Sequence, residues 1–166
     1  EKRVGIVPKS LDLAVSKRLQ YKISKNETED EALRGIYDRR QAALKWILVT
    51  CFGYLGYKNA KFGTVDGHMG VCAFGRDSLL AASGLAEDRG FRVIHGIVDS
   101  LWLKKEGASS DDYVSLCEEI AKKLDLPLDF AGLYKWIVFL PSKTYPNVPV
   151  LNRYYGVKQD GRIKVR

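Results

Sequence analysis

Three cysteines, two histidines and one methionine are all that the 166 residues hold of these types, and that scarcity excludes several chemistries at once. Cys51, Cys72 and Cys117 stand far apart, with no Cys-x-x-Cys pair and no histidine at ligand spacing, so neither a disulfide framework nor a zinc site is expected. They read as reduced, mostly buried small hydrophobes. No apolar run approaches the ~20 residues needed to cross a bilayer, and Glu1-Lys2-Arg3-Val4-Gly5-Ile6 does not open a signal peptide. An intracellular protein with no membrane partner is expected, which makes the Asn26-Glu27-Thr28 sequon a chance match. Acidic residues are in deficit as well, 20 against 27 basic ones, for a net charge of +7.

The remaining composition, 46% hydrophobic and 28% charged, describes a globular chain able to bury one good core, with room for two small lobes. The positive charge is not spread evenly. Residues 1–62 carry 13 Lys/Arg against 7 Asp/Glu, whereas residues 63–166 carry 14 against 13. A basic first third on a nearly neutral body implies a polyanionic partner, either nucleic acid or a triphosphate. No repeats or low-complexity tracts interrupt it.

In chain order, Val4–Pro8 reads as a short extended piece closed by its proline. Leu11–Lys25 has the apolar spacing of a basic amphipathic helix, and a second helix is expected from about Asp30 to Val49, with Glu29, Asp30 and Glu31 at its positive end. Joined by a short polar turn, the two make a helical hairpin. Gly53-Tyr54-Leu55-Gly56-Tyr57 is expected to end it, its glycines allowing close backbone approach and its tyrosines offering flat faces. The spacing of a phosphate-binding loop is missing there. A helix is expected in the later part of His68–Asp88, closed by Gly90.

The stretch Gly90–Leu103 organises the rest. Apolar runs Phe91–Ile94 and Leu101–Leu103 flank His95-Gly96-Ile97-Val98-Asp99-Ser100, which predicts a β-hairpin with Asp99 near its tip. A carboxylate there can reach a metal ion or solvent, whereas the same group inside a strand is costly to bury unpaired. A helix over Asp111–Leu124, capped by Ser109 or Ser110, follows. A strand within Leu128–Leu140 and a hairpin of Val150–Val157 with Arg162–Val165, turning at Asp160-Gly161, complete the chain. The expected class is α+β, a helical hairpin on an antiparallel sheet with packed helices. Both ends stop inside plausible elements, so a piece of something larger is expected.

Several blocks together resemble the fingers and second half of the palm of family B DNA polymerases. Asp38-Arg39-Arg40-Gln41-Ala42-Ala43-Leu44-Lys45, continuing to Phe52-Gly53-Tyr54-Leu55-Gly56-Tyr57, is similar to the fingers motif of Arg-Gln, Lys and Asn-Ser-x-Tyr-Gly. Gly75-Arg76 resembles the Gly-Arg of the palm helix. His95–Ser100 occupies the place of the Tyr-Gly-Asp-Thr-Asp-Ser hairpin, and Leu151-Asn152-Arg153-Tyr154-Tyr155-Gly156 that of a Lys-Lys-Arg-Tyr block. The resemblance implies palm entry over 1–10, fingers over 11–58, palm over 59–149 and the start of the thumb over 150–166. It also implies nucleotidyl transfer from a dNTP to a primer 3′ end with two Mg2+ or Mn2+ ions.

On those motifs Asp99 is the catalytic, metal-binding aspartate, Arg18 and Lys45 meet the triphosphate, and Tyr57, Arg153 and Tyr154 meet DNA. The implied partners are primer-template DNA, dNTP and a sliding clamp or other replication protein, in a cytoplasmic, nucleoid-associated setting. The departures matter equally. Ile97 replaces the hairpin's first aspartate, Val49 the fingers asparagine, Phe52 a tyrosine; Ala131 stands where a second acidic residue commonly follows, and Leu151 and Asn152 replace two lysines. This pattern resembles an archaeal branch with altered catalytic motifs. Two readings of the parent therefore stay open, a working polymerase and a degraded one that binds DNA or partner proteins. The isolated fragment is expected to be inactive, since one carboxylate cannot hold two metals. A third reading, an RNA-recognition sheet, lacks its aromatic-rich strand signatures.

Overall fold

The computed structural model describes residues 4–166, apart from the side chain of Leu151. The palm-entry segment expected over residues 1–10 therefore lies partly outside the described residues. The chain divides into two compact units, one ending at Ala73 and the other running from Phe74 to Arg166.

The first unit is built on α1 (Ile6–Glu27) and α2 (Glu31–Leu55). The extended piece expected over Val4–Pro8 is instead the helix start. Pro8 sits in the first turn of α1, where its missing N–H would have found no intrahelical acceptor, so the proline is compatible with a helix there. Asp30 caps α2, its Oδ1 accepting the backbone N–H of Ala32 at 2.8 Å and of Leu33 at 3.2 Å, and Glu31 complements the same positive end. The helix runs beyond the expected stop at Val49 to Leu55, with Gly56 as its C-cap. Gly53 lies inside the helix with open space around it, but Gly56 fits the close approach read from the sequence: a Cβ there would fall 2.9 Å from the His68 ring. That ring stacks on Phe52 at 4.4 Å.

The third helix, α3 (Val65–Asp88), starts three residues before His68 and contains the boundary between the units. Its end is a Schellman turn. Gly90 takes φ +76°, its N–H donates to the Glu87 carbonyl at 2.9 Å, and the Phe91 N–H donates to the Ala86 carbonyl at 3.0 Å. The same turn delivers Phe91 into the core of the second unit. There Ala82 and Ala86 of α3, Phe91, and Leu116 and Ile120 of α4 (Ser110–Leu124) form one buried cluster, walled by Leu85, Leu101, Leu103 and Tyr113. Ser109 caps α4 in a reciprocal box with Asp112.

The single antiparallel sheet of the sequence reading is two sheets, both antiparallel. One is the ribbon of β1 (Arg92–Ile97) and β2 (Ser100–Lys104); the other has the order β3 (Tyr134–Pro141), β4 (Pro149–Lys158), β5 (Ile163–Val165). The α+β class holds. Two irregularities bend these strands. Ile94 is an extra residue in β1, between the pairs Val93↔Leu103 and His95↔Trp102. In β4 the register slips between Pro141↔Pro149 and Phe139↔Tyr154, so that residues 150–153 face Leu140 alone. The Asp160-Gly161 turn forms as expected, with Gly161 at φ +83° and the Asp160 carboxylate accepting the Arg162 N–H at 3.0 Å.

Aromatic rings join the two sheets of this unit. His95 of β1 lies 4.6 Å from Phe139 of β3, and Trp102 of β2 packs edge-on against Tyr154 of β4 at 5.4 Å. Such pairs add stabilisation beyond the area they bury, about 0.5–1.5 kcal/mol each.

Candidate functional site

Asp99 occupies the second position of a two-residue turn, Val98-Asp99, that closes the ladder at the pair Ile97↔Ser100. Its side chain is exposed, and Oδ1 accepts the Ser100 hydroxyl at 3.1 Å. One carboxylate oxygen is thus oriented while the group keeps its remaining acceptor capacity for solvent or a cation. The turn itself is strained. Val98 takes φ +53°, a left-handed conformation unfavourable for a β-branched residue, and its side chain is 79% exposed, so no packing rewards it.

Directly behind the turn, Gly96 allows a close approach. A Cβ at that position would come 3.2 Å from Leu101 Cδ2 and 3.8 Å from Leu79 Cδ2 of α3. Ile97 lies in the ladder and is half-buried. An isoleucine suits that place in a strand without any ion to compensate it. Deeper in the ribbon, His95 is 9% exposed among Trp102 and Phe139.

Asp99 therefore projects from a platform anchored by rings on one side and by the α3–α4 core on the other. Among the described residues no group of three or more His, Cys, Asp or Glu side chains comes together. Asp99 can donate to a divalent ion, but it supplies a single ligand and needs others to complete a site.

In the first unit, the half-buried positions of α1 include Val7, Leu11, Ala14, Arg18, Tyr21 and Lys25, the three-to-four spacing of a seam against α2. Arg18 thus stands on the seam, and its Nε is buried with no hydrogen-bond partner among the described residues. Tyr21 stacks on Tyr37 of α2, ring centroids 6.1 Å apart, which sets the register of the hairpin. Counting from that pair, Lys45, exposed on α2, lies roughly 7 Å farther along the axis than Arg18. Near the turn of the hairpin, the Lys25 ammonium and the Gln41 amide hold the Asp38 carboxyl below its usual range.

The three residues assigned to DNA from sequence sit in different surroundings. Tyr57 is 50% exposed beyond the end of α2, its hydroxyl accepting from Asn59 at 3.1 Å. Arg153 is exposed in the irregular stretch of β4 and makes no ion pair among the described residues. Tyr154, its neighbour, is only 4% exposed, with Trp102 and Phe139 against its ring. Ala131 presents its backbone carbonyl to the Lys158 ammonium at 2.6 Å. Sequence reading missed Ser100 as the partner of Asp99 and the ring cluster beneath it. The alternation of His95, Trp102 and Phe139 within apolar strands was the available signal.

The sequence pattern of DNA polymerase family B matches residues 1–158. DNA polymerase 2 of Saccharolobus solfataricus is 35% identical over 153 residues, which cover 92% of this chain and 21% of that protein. The DNA polymerase of Archaeoglobus fulgidus is 26% identical over 163 residues, 98% of this chain and 20% of its own length. The DNA polymerase alpha catalytic subunit of Dictyostelium discoideum is 26% identical over 148 residues, 85% and 10% respectively. The chain thus spans about a fifth of the archaeal relatives it matches. With the match extending over most of its length, this chain belongs to DNA polymerase family B.

Proposed function

We propose that this segment is the fingers and the C-terminal half of the palm of a DNA-directed DNA polymerase. In this reading residues 1–10 enter the palm, 11–58 are the fingers, 59–149 the palm and 150–166 the start of the thumb. The observation that carries it is the placement of Asp99: an exposed carboxylate on a two-residue turn, oriented by Ser100 and backed by a packed platform.

Asp99 would hold a divalent ion, magnesium or manganese, together with carboxylates outside this segment. Such an ion supplies Lewis-acid neutralisation of charge on the triphosphate. The residues of this chain bind and position. Arg18 and Lys45 present permanent positive charge along the helical hairpin, to which the triphosphate of the incoming dNTP binds. Tyr57 and Arg153 contact the primer-template through a flat face and a phosphate bond, while Tyr154 serves the same grip by fixing β4 beside Arg153. A sliding clamp or another replication protein as partner, and a cytoplasmic, nucleoid-associated location, belong to the same reading.

A second reading is favoured by a specific observation. Ile97, Val49 and Ala131 together remove polar groups from positions where the family carries them, and among the described residues Asp99 belongs to no group of three or more His, Cys, Asp or Glu side chains. On that reading the parent is a degraded polymerase that binds DNA or scaffolds replication or repair. Primer extension by the full-length protein with magnesium or manganese decides between them. Extension lost on Asp99→Asn with DNA affinity retained supports synthesis; tight, salt-sensitive binding without any extension supports the degraded parent.

A further inference from the structure

At the end of the β1–β2 ribbon remote from Asp99, two cations face each other. Arg92 opens β1 and Lys104 closes β2, and the two are cross-strand partners in an antiparallel ladder, both exposed. Directly opposed residues point to the same side of a ribbon with Cβ atoms about 5 Å apart, and like charges there repel.

A third cation is held beside them. The Lys105 N–H donates to the Tyr113 hydroxyl at 3.2 Å, its ammonium donates to the Arg89 carbonyl at 2.8 Å, and the same ammonium lies 4.8 Å from the centre of the Phe91 ring. Gly90, at φ +76°, forms the neighbouring wall without a side chain. Gly90, Arg92, Lys104, Lys105 and Glu106 line a cavity of about 240 Å3.

The nearby carboxylates do not neutralise it. Glu106 reaches Lys104 at only 4.0 Å with its side chain 93% exposed, Glu119 is engaged by Arg89 at 2.8 Å and Lys123 at 3.1 Å, and Asp112, close enough to Lys105 to feel its charge, is bonded to the Ser109 N–H and hydroxyl and does not line the cavity. Arg92 has no ion-pair partner among the described residues. The wall therefore carries three positive charges against one negative. A guanidinium fork with two ammonium groups offers donors from several directions, which matches a tetrahedral phosphate better than a planar carboxylate.

We propose that this cavity binds a phosphate group, and that in the full-length protein the phosphate belongs to a nucleic-acid strand passing roughly 20 Å along the ribbon from Asp99. The choice of a strand as the source rests on the polymerase reading; the phosphate chemistry does not.

The test is the full-length double variant R92E/K104E, which replaces one like-charged pair by another and so leaves the cross-strand repulsion comparable. Primer-template affinity is measured across a salt series, inorganic phosphate binding by titration calorimetry, and extension at saturating primer-template. A nucleic-acid site predicts weaker binding at low salt and a salt slope shallower by about one, from one phosphate no longer neutralised at ~0.9. Extension at saturation stays at the parental rate, and R92K/K104R restores the slope. Loss of phosphate binding with an unchanged DNA slope supports the site with free phosphate as its ligand. No change in either measurement overturns the proposal. Asp99→Asn, run in parallel, keeps the two readings apart: it removes extension and leaves the slope intact, so a failure of extension throughout tells against the polymerase reading alone.

Discussion

Val98→Gly is expected to tighten the hairpin that carries Asp99. Valine at φ +53° holds a left-handed backbone, which costs an L-residue about 1–2 kcal/mol relative to its preferred regions. Its side chain is 79% exposed, so the substitution removes little buried apolar area. Against the relieved strain stands the greater freedom of glycine in the open state, about 0.5–1 kcal/mol. The difference, about 0.5–1 kcal/mol, should raise amide protection in the β1–β2 ladder about two- to fivefold in native-state hydrogen exchange of the full-length protein. Val98→Asn should move in the same direction, because asparagine tolerates the left-handed region. Val98→Ala keeps a Cβ and should leave protection near the parental value. Unchanged or lower protection in the glycine variant, or equal gains for alanine and glycine, would refute the strain argument.

Ile120→Ala should cost about 2–5 kcal/mol in denaturant unfolding, because Ile120 is 3% exposed within the Ala82–Ala86–Phe91–Leu116 cluster; a loss below about 1 kcal/mol would mean that the core collapses around the gap. Stability should fall in acid. The Ser109 backbone N–H and hydroxyl hold the Asp112 carboxyl below its ordinary value of 3.8, and the Arg89 guanidinium and Lys123 ammonium hold Glu119 below 4.5. Depressed carboxyls contribute fully above those ordinary values and lose their contribution as pH falls through the lower folded ones. Asp112→Asn should flatten that part of an unfolding-versus-pH curve, and an unaltered acid limb would remove the box from the account. Arg18→Ala and Lys45→Ala in the full-length protein should weaken dNTP binding more than DNA binding, as read by equilibrium titration of each ligand; equal losses would assign both residues to the DNA backbone.

Local chemistry is what the sequence makes legible. The helix cap expected at Ser109 or Ser110, the Asp160-Gly161 turn and the Gly90 stop each depend on a few neighbouring residues; the cap falls on Ser109, and the turn and the stop form where residue types alone put them. Pro8 misleads because a proline punctuates only from the second turn of a helix onward, and the starting point of α1 is decided by residues beyond that motif. The division into two sheets is not legible either. It depends on the Ile94 bulge and on ring contacts between residues far apart in the chain, His95 with Phe139 and Trp102 with Tyr154. The same holds around the site. Apolar runs on both sides place Asp99 in the turn, but nothing in the composition separates a buried Tyr154 from an exposed Tyr57. Nor does spacing alone set Arg92 opposite Lys104, since that pairing is a matter of register.

Positions 97 and 99 are physically unequal in this fold, and that bears on what Ile97 does. Position 99 lies in the turn, where a carboxylate is solvated with or without an ion; position 97 lies in the ladder opposite Ser100, half-buried in front of Gly96. An ionised aspartate at 97 would lose hydration on folding and would need a cation to offset the loss. Isoleucine removes that requirement at position 97, so the hairpin is expected to stay folded when divalent ions are withdrawn. Ile97→Asp should reinstate it in the full-length protein: ladder protection falls in chelator and recovers on adding magnesium or manganese, by more than the change that the Asp99 site alone gives the parental ladder. Recovery would show that positions 97 and 99 still converge on a place fit for a cation, and that the isoleucine uncouples folding of the ribbon from metal binding. Equal protection of the aspartate variant with and without divalent ions would mean that the geometry of the site has drifted along with its residues, which would favour the degraded parent.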